Sequence, residues 1–259
     1  MNDVFLRVVG LGPGDVGLLA PQARAALEEA DVLAGYSAYM EMVPAGLKEG
    51  KTCLSTGMMG EVERCGQAID AALAGRRTAL VCSGDPGVYA LAGLVLELLE
   101  ARGLAERLTV EIVPGIPALC AAAALLGAPL THDFACVSLS DLLTPWELIR
   151  KRLEAALGAD FVLGIYNPRS RRRTSQLEET LSLALSLRDP QTPVGLVRQA
   201  FRPEQSVRVM RLGELDPVEV DMLSILIIGN ASTRIMEDGR GGRMLTPRGY
   251  AGKYRLDGN

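Results

Sequence analysis

Histidine is almost missing from this chain: His132 stands alone among 259 residues. The cysteines (Cys53, Cys65, Cys82, Cys120 and Cys136) are odd in number and form no C-x-x-C pair. A structural zinc site, built from four Cys and His ligands, is therefore not expected, and no iron–sulfur spacing is present. The cysteines read instead as reduced, mostly buried thiols of a cytoplasmic protein. Aromatic residues are only 4% and the net charge is −4. A nucleic-acid binder would use stacking rings and a basic excess, so no nucleic-acid partner is expected. Long apolar runs are lacking too. The most apolar stretch, IPALCAAAALLGAPL at 116–130, is interrupted by Pro and Gly and falls short of the roughly 20 residues that span a bilayer. It predicts a buried helix packed through small side chains, not a membrane segment. The opening MNDVFLRVVG has no basic region followed by an apolar one, so no leader is expected.

Apolar residues make up 48% of the chain, enough for a sizeable aliphatic core. Short apolar strands alternate with helical stretches, which predicts an α/β protein with parallel layering. The first strand is read at Phe5–Val9 and the first helix at Pro21–Glu29, with Pro21 in the first turn. Ala23, Leu27 and Ala30 mark its inner face. A strand at 31–35 precedes an irregular stretch at 36–60. A helix at 61–73, a strand at 78–84, a helix at 88–103 and a strand at 108–113 follow. Pro114-Gly115 then breaks the chain. The organisation predicted is an N-terminal α/β domain at 1–115, a second at 116–250 and a tail at 251–259. The second half adds strands FACVSLS, DFVLGIYN, TPVGLVRQA, SVRVMRL and LSILIIGN. Capping boxes are read at Thr144–Glu147, with Pro145 in the first turn, and at Ser175–Glu178.

The segment VVGLGPGDVGLL at 8–19 resembles the start of a dinucleotide-binding unit, but the third glycine of G-x-G-x-x-G is Asp15. Pro13 removes a backbone N–H that a phosphate would use. Ligands of open α/β sheets bind at the carboxyl ends of strands. The segments following the strands are Gly12-Pro13-Gly14-Asp15, Ser83-Gly84-Asp85-Pro86-Gly87, Pro114-Gly115-Ile116-Pro117-Ala118, Tyr166-Asn167-Pro168-Arg169 and Gly229-Asn230. Together they predict a rigid, nearly neutral cradle at one sheet edge, suited to a ligand with hydroxyls, an amino group or positive charge. Turn chemistry alone gives the same composition.

GLGPGD, SGDPGVY, VPGIPA and GNAST resemble the recurrent loops of the S-adenosylmethionine-dependent tetrapyrrole methylases. HDFACVSLSDLLTPWELI, YNPRSRRR, QTPVGLVRQA and MLTPRGY resemble the branch acting at C17 of precorrin-3B or of cobalt-factor III. The likeness runs from Val8 to Tyr250. It implies two α/β domains with a cofactor cleft, a homodimer, S-adenosylmethionine as cofactor and a tetrapyrrole as substrate. It implies cofactor contacts at Pro13, Gly84, Asp85, Val88, Ile116, Pro117, Ala118, Tyr166, Asn167, Thr246 and Pro247, and substrate contacts at Gly14, Asp15, Arg169, Arg198 and Arg248. Many members carry Thr where this chain has Pro117.

The reaction implied is an in-line methyl transfer to a ring carbon, with contraction of the macrocycle. Alignment carries the transfer, and the contraction moves protons. His132, Asp133 and Asp141 are the candidate acid/base groups. A structural His and a plain loop Asp are the competing readings. In the run Arg169, Arg171, Arg172, Arg173, Arg169 is expected to pair with the macrocycle's carboxylates, while Arg172 and Arg173 are expected to be solvated. Cys82 reads as strand core, and Cys53 and Cys65 as oxidation-prone. The alternatives are methylation at another ring carbon, a nicotinamide-dependent oxidoreductase, and a tetrapyrrole carrier without turnover.

Overall fold

The computed structural model describes residues 5–239 and 241–256, so 1–4 of the expected first domain and the last three residues of the expected tail lie outside them. The chain divides into two compact units, Met1–Ala118 and Leu119–Asn259.

In the first unit, β1 (Leu6–Gly10), α1 (Pro21–Glu29), β2 (Val32–Tyr36), α2 (Ser37–Met42), β3 (Thr52–Thr56), α3 (Glu61–Leu73), β4 (Thr78–Cys82), α4 (Ala92–Ala101) and β5 (Val110–Val113) follow in order. The strands form one parallel sheet, β3-β2-β4-β1-β5. Period two sorts their side chains. Leu6, Val8, Leu80 and Cys82 pack with Cys65, Ile69, Val95 and Leu99 under α3 and α4. Val9, Ala79 and Val81 pack with Ala23, Leu27, Met40 and Val43 under α1 and α2. Because both faces are covered, all of β4 is buried, as a central parallel strand should be. The stretch expected to be irregular holds α2 and β3. β3 is an edge strand with Thr52, Cys53 and Ser55 exposed, so the apolar signal is weak there. Helix α4 begins four residues later than expected because Tyr89 has φ +51°, outside the helical region.

The second unit follows the start of α5 (Ala118–Leu126). It contains β6 (Gly127–Ala128), β7 (Phe134–Ser138), α6 (Trp146–Gly158), β8 (Val162–Tyr166), α7 (Ser175–Leu187), β9 (Pro193–Arg198), β10 (Ser206–Arg211), β11 (Ser224–Ile228), β12 (Arg234–Met236) and β13 (Arg243–Leu245). The main sheet runs β10-β9-β11-β8-β7. Only β7 and β8 pair in parallel. β8–β11, β11–β9 and β9–β10 are antiparallel. The parallel expectation fails here because no α-helix connects β9, β10 and β11, only single 3-10 turns between β10 and β11. Such short connections allow antiparallel pairing. One sheet face packs on α6 and α7 through Leu163, Ile165, Val194, Leu196, Leu226 and Ile228. On the other face, glycines admit the leucines of α5. A Cβ on Gly164 would stand 2.6 Å from Leu119, and one on Gly195 would stand 2.4 Å from Leu126. A small sheet, β12-β13-β6, completes the unit.

Neither expected capping box is present. Pro145 occupies the N-cap of α6 without a side-chain bond. Thr174 precedes α7, and the Ser175 hydroxyl donates to Gln176 Oε1. The thiols differ from expectation too. Only Cys65 and Cys82 are buried, whereas Cys53 and Cys120 are exposed. Among the described residues no helix is long and apolar enough to cross a membrane.

Candidate functional site

Three glycine loops meet at the carboxyl ends of β4, β1 and β5, which are neighbours in the sheet. Gly12 and Gly84, both at φ +69°, form an isolated antiparallel bridge. Gly12 N–H donates to Gly84 O at 3.1 Å, and Gly84 N–H donates to Gly12 O at 2.8 Å. Asp85 joins the second loop to the third. Its Oδ1 accepts from Gly87 N–H at 2.8 Å and its Oδ2 from Gly115 N–H at 3.1 Å. The backbones nearly touch: a Cβ on Gly115 would stand 2.2 Å from Gly84 O, and one on Gly10 would stand 2.6 Å from Gly115 N. Asp15 Oδ1 accepts from Gly17 N–H at 2.7 Å and caps a single helical turn.

This wiring decides what the cradle can hold. A phosphate site at a strand–helix turn needs free backbone N–H groups. Here the amides of Gly12, Gly17, Gly84, Gly87 and Gly115 all donate internally, and Pro13 has none. These five glycine amides are therefore not available to a phosphate. Pro13 and Gly84 are buried, Gly14, Asp85, Val88, Ile116, Pro117 and Ala118 are half-buried, and Asp15 is exposed. The structure thus brings together the first-unit residues that the sequence reading singled out.

In the second unit a side-chain network forms where β7 and β8 end side by side. Asn167, at φ +48°, donates from Nδ2 to Ser138 Oγ at 2.9 Å, and Ser140 N–H donates to the same oxygen at 3.2 Å. Gln176 Nε2 donates to Asp141 Oδ2 at 2.7 Å. Arg173 lies 3.9 Å from the other Asp141 oxygen and donates to Asn167 O at 2.6 Å. The Arg173 side chain is only 10% exposed, so the expectation that it is solvated is overturned. Burial lowers its pKa, and Asp141 opposes that shift. Tyr166 Oη accepts the Leu119 N–H at 2.9 Å in the first turn of α5. There it does what an N-cap hydroxyl would do, and Pro117 cannot supply one.

The other residues singled out in the second unit lie elsewhere. Ile228 pairs beside Leu163, near the start of β8. Gly229-Asn230 is therefore at the opposite end of the sheet from Tyr166-Asn167, and the expected single-edge cradle does not include it. Asn230 is tied to Asp160 O. The hydroxyl of fully buried Thr246 is 2.8 Å from that of Thr233, and Thr131 donates to Thr246 O. Pro247 is half-buried and Arg248 exposed.

His132 and Asp133 precede β7. Asp133 N–H donates to His132 Nδ1 at 2.8 Å, which places the proton of a neutral imidazole on Nε2. Both are exposed, His132 by 47%. Asp141 lies beyond the other end of the strand, roughly 16 Å along it, so the three candidate acid/base groups do not converge. Arg169 Nη1 donates to Pro217 O and Val218 O, and Arg198 pairs with Asp221 at 2.7 Å. Burial pushes the Asp221 carboxyl up, but bonds from Arg198, Ser224 and Leu223 N–H hold it below the usual range. A groove of about 750 Å³ between α6 and α7 has a mixed-charge lining, including Glu147, Lys151 and Glu179. It lies along the helices, away from the strand-end loops.

The sequence reading missed Asp85 as a clip between loops, the inward turn of Arg173 and the Ser138–Asn167 bond. Asp85 reaches Gly115 and Ser138 reaches Asn167, both distant in sequence, whereas Arg173 bonds its own loop and faces Asp141 of a distant one. The only local signal was Ser170 three residues before Arg173.

Residues 6–216 match the family described as Tetrapyrrole (Corrin/Porphyrin) Methylases. A Salmonella typhimurium protein named "Probable cobalt-factor III C(17)-methyltransferase" is 46% identical over 95% of this chain and 99% of its own length. A "Cobalt-factor III methyltransferase" of Priestia megaterium is 45% identical over 97% of this chain, which spans 46% of that longer protein. A Sinorhizobium "Precorrin-3B C(17)-methyltransferase" is 41% identical over 95% of this chain and 97% of its own. A solved structure titled "Crystal structure of the methyltransferase CobJ" superposes with a TM-score of 0.88 at 38% identity, covering 95% of this chain and all of that one. Matched by the family model over most of its length and by near full-length relatives, the chain belongs to the tetrapyrrole (corrin/porphyrin) methylase family.

Proposed function

We propose that this protein transfers a methyl group from S-adenosylmethionine to C17 of precorrin-3B, with ring contraction to precorrin-4, or does the same to cobalt-factor III, giving cobalt-precorrin-4. The observation that carries the reading is the saturated glycine cradle. It offers close backbone approach while five of its glycine amides already donate within the protein, which disfavours a nicotinamide dinucleotide and fits a sulfonium-bearing adenosyl ligand. The names of the near full-length relatives supply the ring position.

S-adenosylmethionine, when bound, supplies a methyl group on a positively charged sulfur. The loops around Pro13, Gly84–Asp85–Val88 and Ile116–Pro117–Ala118 would hold it, and Asp85 keeps two of these loops in register. In the second unit the residues proposed to contact the cofactor are Tyr166, Asn167, Thr246 and Pro247. Gly14, Asp15, Arg198 and Arg248 serve the macrocycle, as does the Arg169 loop. Alignment in a dry site is the main contribution to an in-line displacement. His132, just before β7, is the candidate proton carrier for ring contraction. His132→Ala with unchanged turnover removes it from the mechanism.

The protein works in the cytoplasm as a homodimer. Five free thiols support the first statement, and sedimentation equilibrium tests the second. The deciding experiment is an anaerobic assay with methyl-labelled S-adenosylmethionine and each macrocycle offered separately. Label entering one of them with ring contraction is the expected result and fixes the branch. Cofactor binding without label in either moves the reaction to another ring carbon or to a carrier role.

A further inference from the structure

The run 169–173 contains two kinds of arginine. Arg169 and Arg173 turn inward: Arg169 Nη1 holds Pro217 O and Val218 O, while Arg173 holds Asn167 O at 2.6 Å and Pro168 O at 3.4 Å. Ser170 and Arg173 close the loop, Ser170 N–H to Arg173 O at 3.0 Å and Arg173 N–H to Ser170 Oγ at 3.1 Å. Arg171 and Arg172, at the tip, are exposed and have no hydrogen bond or ion pair with a described residue. Two guanidinium groups thus brace a loop that presents two others to solvent.

The adjacent loop, after β7, is held by the same residues. Ser138 bonds Asn167, and Asp141 bonds Gln176 and faces Arg173. Its tip is apolar: Leu142 is 78% exposed and Leu143 98%. Two leucines this exposed on a loop fixed at its base are costly unless something covers them. The two loops are thus tied at their bases; one carries an exposed apolar pair at its tip and the other an exposed cationic pair with no partner among the described residues. A flat macrocycle with carboxylates on its rim is complementary to both.

We propose that Arg171 and Arg172 bind the peripheral acetate and propionate carboxylates of the tetrapyrrole and that Leu142 and Leu143 contact the ring. Arg169, Arg173 and Asp141 are positioning residues for the two loops. This rests on the tetrapyrrole reading above and moves carboxylate recognition from Arg169 to the loop tip.

The test uses the intact protein with uroporphyrin III as probe, followed by fluorescence. S-adenosylhomocysteine binding is followed by calorimetry. R171A/R172A is expected to raise the probe Kd roughly tenfold, the size of two exposed arginine–carboxylate contacts. It should also flatten the salt dependence, with S-adenosylhomocysteine affinity and Tm unchanged. R171K/R172K should recover part of the loss. L142S/L143S should weaken the probe without changing sedimentation. Unchanged probe affinity in R171A/R172A overturns the proposal. So does dissociation into smaller species by L142S/L143S at unchanged probe affinity, which assigns the leucines to a contact between copies. Wild-type protein that binds S-adenosylhomocysteine but not the probe overturns the tetrapyrrole reading itself.

Discussion

Asp85 has both carboxylate oxygens on backbone amides, Gly87 on one side and Gly115 on the other. An amide side chain accepts at only one of the two positions and presents an N–H to the other. Asp85→Asn should therefore lower unfolding stability by about 1–3 kcal/mol. Urea titration checks this, and an unchanged midpoint refutes the clip. Asp31 makes a pH prediction. Its side-chain bond to Arg77, and then the Arg77 backbone N–H, lower its pKa to about 2. A carboxylate depressed on folding stabilises the protein above its unfolded pKa, about 3.9. That contribution is lost as pH falls through the folded value. Asp31→Asn should make the protein less sensitive to acid between about pH 4 and 2. The thiols divide as sharply. Burial pushes Cys65 up to about 12 and Cys82 up to about 11, while Cys53 is exposed. Under native conditions a thiol reagent should label Cys53 quickly and spare Cys65 and Cys82. Rapid loss of all three would contradict the packing.

Among elements, the glycines differ by what surrounds them. A methyl at Gly115 meets backbone of β1 and β4 loops that cannot move aside. Gly115→Ala should cost about 2 kcal/mol or more and loosen S-adenosylhomocysteine binding. Gly66 lies within α3 with nothing near its missing Cβ. Gly66→Ala should raise stability by about 0.5–1 kcal/mol. Denaturant melts of the two variants moving in the same direction would contradict this account. Helices α1 and α3 were legible to the residue, because Pro21 fixes one start and apolar period marks both faces. α2 and β3 were not, since a short helix and a half-exposed edge strand bury too little for a period to show. The mixed second sheet was also hidden: strand patterns give faces, not directions.

Taken whole, the molecule has two compact units with separate cores. Thermal unfolding should therefore depart from a single two-state transition, with calorimetric enthalpy exceeding the van't Hoff value. S-adenosylhomocysteine at about 100 times its Kd should add about 2.7 kcal/mol to the transition it binds. Absence of any shift would remove the adenosyl reading of the cradle.

What the sequence determined by itself was local chemistry: α/β alternation, loops shaped by Gly and Pro, a missing third glycine and long blocks shared with one family. These depend on neighbours in the chain, so they can be read from it. Tertiary structure decided which groups remain free. Bonds between distant loops consume the amides of Gly12, Gly84 and Gly115, antiparallel pairing moves Gly229-Asn230 to the far end of its sheet, and Arg173 turns inward while Arg171 and Arg172 stay in water. A side chain's availability depends on what has folded against it, and that is set by contacts across tens of residues.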